Sequence, residues 1–277
     1  MLEFHVFLAN FNYQNKNEPI TIRLKKIDLM EILGLDIGGS GIKGAPVNVE
    51  TGQLTAERFR VPTPIPSKPE SIAIAVKEIV DHFKWTGPIG CGFPTVVNNG
   101  KCMTKSNLHK SWVGVQIDQL FSKKVDLPVT VINDADAAGL AEMTFGAGQG
   151  KKGLVVTVTI GTGLGTGVFH NGVLIPNFEL GRIYYKTGEI IEYFAADSAR
   201  KKENLSYSEW GKRFNKFLKH TVRIISPDLF ILGGGASKKM ERFEDEITIN
   251  VPVIVAENKN EAGIIGAAVA AQLKGKE

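Results

Sequence analysis

Residues 36–43 read Asp36-Ile37-Gly38-Gly39-Ser40-Gly41-Ile42-Lys43, and residues 159–165 read Thr159-Ile160-Gly161-Thr162-Gly163-Leu164-Gly165. Both stretches follow an apolar run with the length of a buried strand, and both precede another strand-like run. The second begins 123 residues after the first. A glycine-rich hairpin turn that recurs in this way predicts two related α/β lobes with a ligand cleft between them. Because a strand rather than a helix follows the glycines, these are neither a Rossmann fingerprint nor a P-loop.

The composition of the 277-residue chain is that of an ordinary globular protein, with 43% hydrophobic and 22% charged residues. At roughly 150 residues per domain, this length predicts about two domains. Glycine is enriched, at 30 residues or about 11% against a usual share of roughly 7%, which indicates turns where the backbone approaches something closely. Cys91 and Cys102 have the spacing of neither a disulfide framework nor a zinc site, so we expect reduced, buried thiols.

The N-terminal sequence has neither the basic region nor the apolar core of a signal peptide, and no run approaches the ~20 apolar residues of a membrane span. The mild net charge of +4 does not identify a nucleic-acid binder. We therefore expect a cytoplasmic protein with neither a membrane nor a nucleic-acid partner. Residues 1–31 are expected to be a dispensable N-terminal extension, residues 32–133 a small α/β lobe completed by the C-terminal helix 262–277, and residues 134–261 a large α/β lobe.

Hydrophobic periodicity and turn residues predict the secondary structure. Strands are predicted at 32–36, 42–49, 55–62, 89–93, 128–133, 153–160, 228–232 and 251–255, and helices at 68–83, 116–124, 206–225 and 262–273. Ser67 is expected to cap the first of these helices, and Ser206 and Glu209 to form a capping box on the third. The buried face of that third helix is predicted to carry Trp210, Phe214, Phe217, Thr221 and Ile224.

The first glycine turn has the residues of a phosphate site. Small residues such as Gly38 and Gly39 let backbone N–H groups converge on an anion, and Ser40 adds a hydroxyl and Lys43 a cation. Asp36 supplies a carboxylate able to hold a magnesium-bound water. An ordinary glycine hairpin is the alternative interpretation.

Two further glycine runs favour the phosphate interpretation. The run 161–167 repeats the first turn, so the pair predicts a double phosphate clamp. At 233–235 a strand is predicted to enter a helix, whose N-terminal N–H groups can face an anion. The donor contacts expected from these two runs are Gly161, Thr162, Gly163, Gly234 and Gly235.

Asn133 and Asp134 lie where a strand ends and a helix begins. Such residues are most often helix caps, and a carboxylate also suits the positive end of a helix. Beside phosphate-binding loops, a strand-end carboxylate at the mouth of a cleft also suits the base of a phosphotransferase, which mainly orients a hydroxyl and accepts its proton late. The residues alone leave both interpretations open.

Taken in order, these motifs resemble those of ROK-family sugar kinases, together with Gly92-Phe93-Pro94, Asn107-Leu108 with Trp112, and Glu179-Leu180-Gly181. The resemblance covers about residues 32–273. It implies an actin/hexokinase-like (ribonuclease H-like) α/β fold with two related lobes around a cleft, and transfer of a phosphoryl group to a sugar 6-hydroxyl. It implies Asp134 as the catalytic base, and sugar binding by Asn107, Asn133, Asp134, Glu179 and Glu192.

Within the family the chain is most similar to the polyphosphate glucokinase branch, through Gly-Phe-Pro-Thr at 92–95 and the stretch 226–235. Most of the family carries a histidine after Glu-x-Gly and then a cysteine-rich zinc motif, whereas this chain has Arg182 and no following cysteine. The resemblance therefore implies a homodimeric glucokinase that takes its phosphoryl group from polyphosphate, ATP or both. It also implies that magnesium is required and that zinc is not bound. Because Arg182 replaces the histidine, the choice of glucose over mannose stays open.

A cationic stripe gives information on the phosphoryl donor that is independent of the family. Residues 200–223 carry a net charge of +6, which leaves −2 for the rest of the chain. A continuous stripe of this kind can carry a polyanion. The residues assigned to a polyphosphate track are Lys201, Lys212, Lys216 and Lys219. A solvated, lysine-rich helix face is an equally weighted alternative.

Two other functions compete with a polyphosphate glucokinase. The first is an ATP-dependent hexose kinase of the same family that does not use polyphosphate, because the glycine runs suit a nucleotide as well. The second is a non-catalytic, sugar-responsive regulator. A repressor of this family would need a helix-turn-helix domain of roughly 60–80 residues before the lobes, whereas residues 1–31 show no such pattern. The presence of Asp134 also disfavours a non-catalytic protein.

Overall fold

The structure, a computed structural model, describes residues 31–186, 188–258 and 260–276. The predicted extension 1–31 lies outside these ranges except for Glu31, which begins the first strand. No helix in the described part of the chain combines the length and the apolar character needed to cross a membrane.

Strands and helices alternate in both halves of the chain. The strands are β1 (Glu31–Ile37), β2 (Gly41–Asn48), β3 (Phe59–Pro62), β4 (Ile89–Phe93), β5 (Val97–Asn98), β6 (Lys101–Cys102), β7 (Val129–Asn133), β8 (Leu154–Ile160), β9 (Leu164–His170), β10 (Val173–Ile175), β11 (Tyr184–Tyr185), β12 (Glu189–Ile190), β13 (Leu229–Gly233) and β14 (Val253–Val255). The helices are α1 (Pro69–His82), α2 (Ile117–Val125), α3 (Asp134–Phe145), α4 (Glu192–Ala195), α5 (Asp197–Lys202), α6 (Tyr207–Ile225) and α7 (Ala262–Lys274).

Two five-stranded sheets share one topology, with strand orders β3-β2-β1-β4-β7 and β10-β9-β8-β13-β14. In each sheet the first three strands form an antiparallel meander and the last two are added in parallel. β1 begins at residue 31 and β8 at residue 154, which is the same 123-residue offset that separates the glycine turns. The internal repeat predicted from the glycine turns is therefore a repeat of whole sheets.

The parallel strands bring the candidate residues to one edge of each sheet. In the first sheet, β1, β4 and β7 run in parallel, and Asp36, Phe93 and Asn133 lie at or near their carboxyl ends. In the second sheet, Thr159 of β8 pairs with Gly233 of β13 at the corresponding edge. Ligands of open α/β sheets bind outside the carboxyl ends of the strands, so these two edges position the candidate site.

Helices α3 and α7 pack against each other and join the two sheets. α7 packs on the first sheet so closely that a Cβ on Gly34 or Gly90 would overlap its backbone. α3 packs on the second sheet, where Gly139 faces the side chains of Thr157 and Phe169. This packing supports the prediction of a small lobe completed by the C-terminal helix and a large lobe that begins at residue 134. The exact lobe boundaries stay a prediction.

The other face of the second sheet is covered by α6. Its capping box is confirmed, because the Ser206 hydroxyl accepts from the N–H of Glu209 while the Glu209 carboxylate accepts from the N–H of Ser206. Trp210, Phe214 and Phe217 are fully buried against the sheet, as predicted. Burial of such a side chain contributes ~1.5–3 kcal/mol. Ile224 was wrongly assigned to this face: it is 49% exposed, because it lies in the last turn of the helix.

Two local predictions in the first half of the chain were also wrong. Ser67 does not cap α1, because the N-cap residue of this helix is Lys68. The Ser67 hydroxyl instead accepts a hydrogen bond from the N–H of His109 at 3.0 Å. The strand predicted over 55–62 forms only at Phe59–Pro62: residues 55–58 are exposed and lie outside the β2–β3 ladder, with a single backbone hydrogen bond from Thr55 to Pro46 of β2.

Candidate active site

A cleft of about 230 Å³ opens where the carboxyl edges of the two sheets meet α3. The first sheet contributes Asp36 and Lys43 to the wall, α3 contributes Asp134, and the second sheet contributes Gly233 and Gly234. The structure therefore brings predicted residues from both halves of the chain into one cavity.

Asp36 and Lys43 face each other across the first hairpin. They are register partners in the β1–β2 pair, and Lys43 Nζ lies 3.3 Å from Asp36 Oδ2. Both side chains keep part of their surface exposed, so both charges remain accessible to a ligand. A Cβ on Gly263, at the start of α7, would lie only 3.2 Å from the Asp36 carboxyl carbon. α7 thus closes one side of the cleft, and a glycine permits this close approach.

Asp134 is the first residue of α3, directly after β7. The Asn133 side chain caps the helix by accepting from the N–H groups of Ala135 and Asp136, at 2.8 and 3.0 Å. The Asp134 side chain lines the cleft. Burial, and then the nearby charge of Asp36, raise the pKa of Asp134 to about 7. A carboxylate with a pKa near 7 is well matched to accept a proton from a hydroxyl at neutral pH.

Asn133 and Glu179 form a polar pair beside Asp134. Asn133 Nδ2 donates to the carbonyl oxygen of Thr95 at 2.9 Å and to Glu179 Oε1 at 3.3 Å. Burial raises the pKa of Glu179, and the Arg182 guanidinium opposes this effect. Carboxylate and amide oxygens held together in this way can accept hydrogen bonds from neighbouring hydroxyls of a polyol.

Glu192 connects this polar pair to the second glycine turn. Its charge adds to the raised pKa of Glu179, so the two carboxylates lie within electrostatic range of each other. Glu192 Oε2 accepts from the N–H of Leu164 at 3.3 Å, and a Cβ on Gly163 would lie 2.6 Å from the same oxygen. A side chain at residue 163 would therefore displace the Glu192 carboxylate from this position.

Asn107 lies against the first glycine turn and is exposed. Its Cβ lies 3.7 Å from the position that a Cβ on Gly39 would occupy.

The first glycine turn is held from outside by two residues that the sequence interpretation missed. Arg60 Nη2 donates to the carbonyl oxygen of Ser40 at 2.6 Å, and Thr63 Oγ1 donates to that of Gly38 at 2.5 Å. The guanidinium of Arg60 also occupies the space beside Gly41. The signal that could have found them is the position of β3 as the third strand of the meander, because its register places Arg60 opposite Lys43.

The second and third glycine runs lie next to each other. Gly234, at φ +83°, packs directly on the backbone of Ile160, the residue before Gly161. Gly161 and Gly235 have nothing within 4 Å of the Cβ position, so their backbone is open to a ligand. The run 233–235 leads into a short 3-10 segment, Ser237–Arg242, in place of the predicted helix.

The predicted cationic track is partly neutralised. Lys201 pairs with Asp197 at 2.7 Å, and Arg213 pairs with Glu203 at 2.6 Å. Within the described residues, Lys212, Lys216 and Lys219 of α6 are exposed and form no salt bridge.

Contacts of α5 and α4 connect the second glycine turn to α6, which carries these lysines. Ser198 of α5 donates from its hydroxyl to the carbonyl oxygen of Thr162 at 2.6 Å. Lys216 Nζ lies 5.5 Å from the ring centre of Phe194, two residues after Glu192. Residues 197–223 keep a net charge of +5 when Asp197 is included.

The sequence model of the ROK family matches residues 32–176, just over half of the chain. The polyphosphate glucokinase of Mycobacterium tuberculosis (strain CDC 1551 / Oshkosh) is 44% identical over 238 residues, which cover 86% of this chain and 89% of that protein. The chain belongs to the ROK family. The resemblance of this ROK protein to the polyphosphate glucokinase branch is also confirmed.

Two solved structures are similar to this ROK protein over nearly its whole described length. The inorganic polyphosphate/ATP-glucomannokinase from Arthrobacter sp. strain KM has a TM-score of 0.84 and 41% identity, and covers 88% of this chain and 99% of its own. A ROK family glucokinase from Streptomyces griseus, in complex with glucose and AMPPNP, has a TM-score of 0.75 at 23% identity, with 88% and 99% covered. The predicted actin/hexokinase-like fold is confirmed.

Proposed function

We propose that this ROK protein is a polyphosphate-dependent glucokinase that transfers a phosphoryl group to the 6-hydroxyl of glucose, with Asp134 as the base. The observation that carries the proposal is the position of Asp134. Asp134 lines the cleft together with Asp36 and Lys43, follows Asn133 directly in the chain, and lies within electrostatic range of Glu179; its pKa is raised to about 7. The Mycobacterium tuberculosis relative bears the name of this activity.

On the acceptor side, Asn107, Asn133, Glu179 and Glu192 are proposed to hold the sugar. The carboxylates accept hydrogen bonds from its hydroxyls and orient the 6-hydroxyl toward Asp134. Asp134 then accepts the hydroxyl proton as the new O–P bond forms, while the bond from the transferred phosphorus to its bridging oxygen breaks and the shortened polyphosphate, or ADP when ATP is the donor, leaves. Because the transition state of phosphoryl transfer is loose and the proton moves to the base late, positioning contributes more than the strength of the base.

On the donor side, the three glycine turns are proposed to receive the phosphoryl chain. The residues are Gly38, Gly39 and Ser40 in the first turn, Gly161, Thr162 and Gly163 in the second, and Gly234 and Gly235 in the third. Lys43 offsets negative charge on the transferred group. The exposed lysines of α6 extend this surface away from the cleft and suit the remainder of a long polyanion. Lys201 on α5 adds less to it, because it already pairs with Asp197.

Magnesium is implied by the family resemblance, and the donor set fits it. Mg²⁺ in phosphoryl-transfer sites is usually held by one or two carboxylates together with water and substrate phosphates. Asp36 and Asp134 line the same cleft, and Lys43 contacts only Oδ2 of Asp36, so Oδ1 is available to a magnesium-bound water. A bound ion would neutralise charge on the phosphoryl oxygens.

The proposal is tested by initial rates in a matrix of donors and sugars with magnesium. Polyphosphate and ATP are each combined with glucose, mannose and glucosamine, and Asp134→Asn serves as the control with strongly reduced activity. We expect the fastest turnover with polyphosphate and glucose. Turnover with ATP alone would replace the proposal by the alternative, an ATP-dependent hexose kinase; no turnover with any hexose would refute both.

ATP is favoured as a second donor by the Arthrobacter relative, which is 41% identical and whose name includes both polyphosphate and ATP. That name also includes mannose as an acceptor, so the matrix decides sugar preference at the same time. A homodimeric state, a cytoplasmic location and the lack of zinc stay predictions from the family resemblance. Light scattering and metal analysis of the purified protein test the first and the last.

A further inference from the structure

Asn177 connects the segment that carries Glu179 to two other parts of the molecule. Its backbone N–H donates to Asp136 Oδ2 at 2.8 Å. Its side chain forms a two-way pair with the backbone of Val97: Nδ2 donates to the carbonyl oxygen at 2.9 Å, and Oδ1 accepts from the N–H at 3.0 Å. Val97 lies in β5, between two strands of the first sheet in the chain, whereas Asn177 follows β10 of the second sheet. One residue therefore links the two halves.

The backbone of Asn177 has φ +64°, in the left-handed region. Asparagine tolerates this conformation better than most residues. Its short amide also has the donor and the acceptor that a backbone pair requires. These two demands together restrict which residue can stand at this position.

Asp136 is buried, with 1% of its surface exposed, and it forms no salt bridge among the described residues. Its Oδ1 has no hydrogen-bond partner. The charged groups that face it are the carboxylates of Glu179 and Asp134. The helix cap does not need it, because Asn133 already caps α3. A buried carboxylate in acidic surroundings is unfavourable, and the hydrogen bond that the Asp136 side chain forms within the described residues is the one from the N–H of Asn177.

Glu179 lies two residues after Asn177, and its immediate neighbours are also held. Thr166 Oγ1 donates to the carbonyl oxygen of Phe178 and accepts from the N–H of Leu180 at 3.0 Å. The backbone around Glu179 is thus fixed from β9 and, through Asn177, from α3 and β5. This leaves Glu179 Oε1 3.3 Å from Asn133 Nδ2.

We propose that Asp136 and Asn177 are positioning residues for hexose binding. The contacts Asp136–Asn177–Val97 hold Glu179 beside Asn133 and hold the segment 94–107, which carries Thr95 and Asn107, against it. Hexose affinity then depends on a contact between the two halves of the molecule, while donor binding does not. This inference rests on the proposed function in one respect, that the ligand of Glu179 is a hexose.

The test uses Asn177→Gly in the full-length protein. Glycine keeps the left-handed backbone and the N–H that reaches Asp136, and removes both side-chain bonds to Val97. We expect the dissociation constant of glucose, measured by calorimetry, and the KM for glucose to rise about tenfold, with kcat and the donor KM within about twofold of wild type. Asn171→Gly is the matched control. Asn171 lies in the turn between β9 and β10, its backbone is also left-handed, at φ +52°, and its side chain accepts a hydrogen bond from the N–H of Gly153.

Asp136 is tested by a conservative pair of variants. Asp136→Asn keeps an oxygen that can accept from Asn177 and should hold the glucose KM within about threefold. Asp136→Leu removes the acceptor and should raise the KM as Asn177→Gly does. If the leucine variant does not fold, the comparison of Asn177→Gly with Asn171→Gly remains decisive.

The inference is overturned if Asn177→Gly binds glucose as tightly as Asn171→Gly, or if kcat falls while glucose affinity is unchanged. If Asp136→Asn and Asp136→Leu change the glucose KM equally, Asp136 is not a positioning residue. Failure of the wild-type protein to bind or phosphorylate any hexose would instead refute the proposed function, so the two failures are distinguishable.

Discussion

At the scale of single residues, the environment of Asp134 explains its chemistry. Its charged neighbours Asp36, Glu179 and Asp136 all carry carboxylates, and each adds to the effect of burial in raising its pKa to about 7. The N–H of Ala135 opposes this shift without cancelling it. A carboxylate with this pKa changes its protonation state in the pH range where the enzyme would work, which is typical of a general base.

The pH dependence of activity follows from this pKa. Asp134 must be deprotonated to accept the hydroxyl proton, so kcat/KM for glucose should fall about tenfold per pH unit below about pH 7 and level off above it. Asp134→Asn should lower kcat by ~10²–10⁴ and remove this acidic limb. Asp81→Asn, at an exposed carboxylate of α1, is the control and should keep the limb. If the residual activity of Asp134→Asn still falls below about pH 7 in the same way, the group that titrates is not Asp134.

The same pKa predicts an effect on stability. Because the pKa of Asp134 is raised from 3.8 to about 7 on folding, the folded state binds more protons than the unfolded state between these values. Stability therefore falls as pH rises from about 4 to 7. Because the Asp134 side chain is only half-buried and solvent screens part of its charge, the penalty is about 1 kcal/mol.

Asp134→Asn should consequently raise Tm by about 2–4 °C at pH 8 and leave it unchanged at pH 4. Thermal unfolding followed by circular dichroism at the two pH values measures this difference. An equal change at both would contradict the assignment of the raised pKa to Asp134.

At the scale of elements, α6 shows what a local pattern can and cannot predict. Its capping box and its buried Trp210, Phe214 and Phe217 follow from residues three or four positions apart, and the structure confirms them. The pairing of Arg213 with Glu203 removes part of the predicted positive stripe. That pairing depends on how α5 turns into α6, which the spacing of charges does not contain.

The exposed lysines of α6 give a prediction about the donor. Replacing Lys212, Lys216 and Lys219 together by glutamate should raise the KM for long-chain polyphosphate at least tenfold and weaken its salt dependence, because the polyanion loses three cations. The KM for glucose should stay within about twofold. The control replaces Lys123, Lys151 and Lys152, which are exposed on other elements. Equal effects of the two triple variants would mean that α6 presents only a solvated face.

The candidate site was predictable where its residues are local in sequence. The glycine turns, with Asp36 and Lys43 in the first of them, and the Asn133-Asp134 pair come from strand ends and hairpins. The residues that the sequence interpretation missed act over long separations. Asn177 meets Val97 across 80 positions, and Arg60 reaches Ser40 from a third strand. Such contacts depend on register and packing, which no local pattern specifies.

At the scale of the whole molecule, the repeat predicted both sheets but not how they are joined. The junction is the crossing of α3 and α7, where a Cβ on Gly266 would overlap the carbonyl oxygen of Ala137. Two helices can approach so closely only where one of them has no side chain. Ala137 lies one helical turn after Asp134, so the distance between the helices also determines the position of the proposed base.

Gly266→Ala tests this junction. Alanine favours a helix by ~1 kcal/mol over glycine, yet its methyl group would force α3 and α7 apart, and overpacking of this kind costs ~1–3 kcal/mol or more. We expect a net decrease in Tm and a lower kcat, because α3 carries Asp134. Gly275→Ala, at the C-cap of the same helix, is the control: its Cβ would meet its nearest neighbour at 3.5 Å, so Tm should be unchanged or slightly higher. If Gly266→Ala is as stable and as active as Gly275→Ala, the two helices have room to separate without moving the base, and backbone contact is not what joins the lobes.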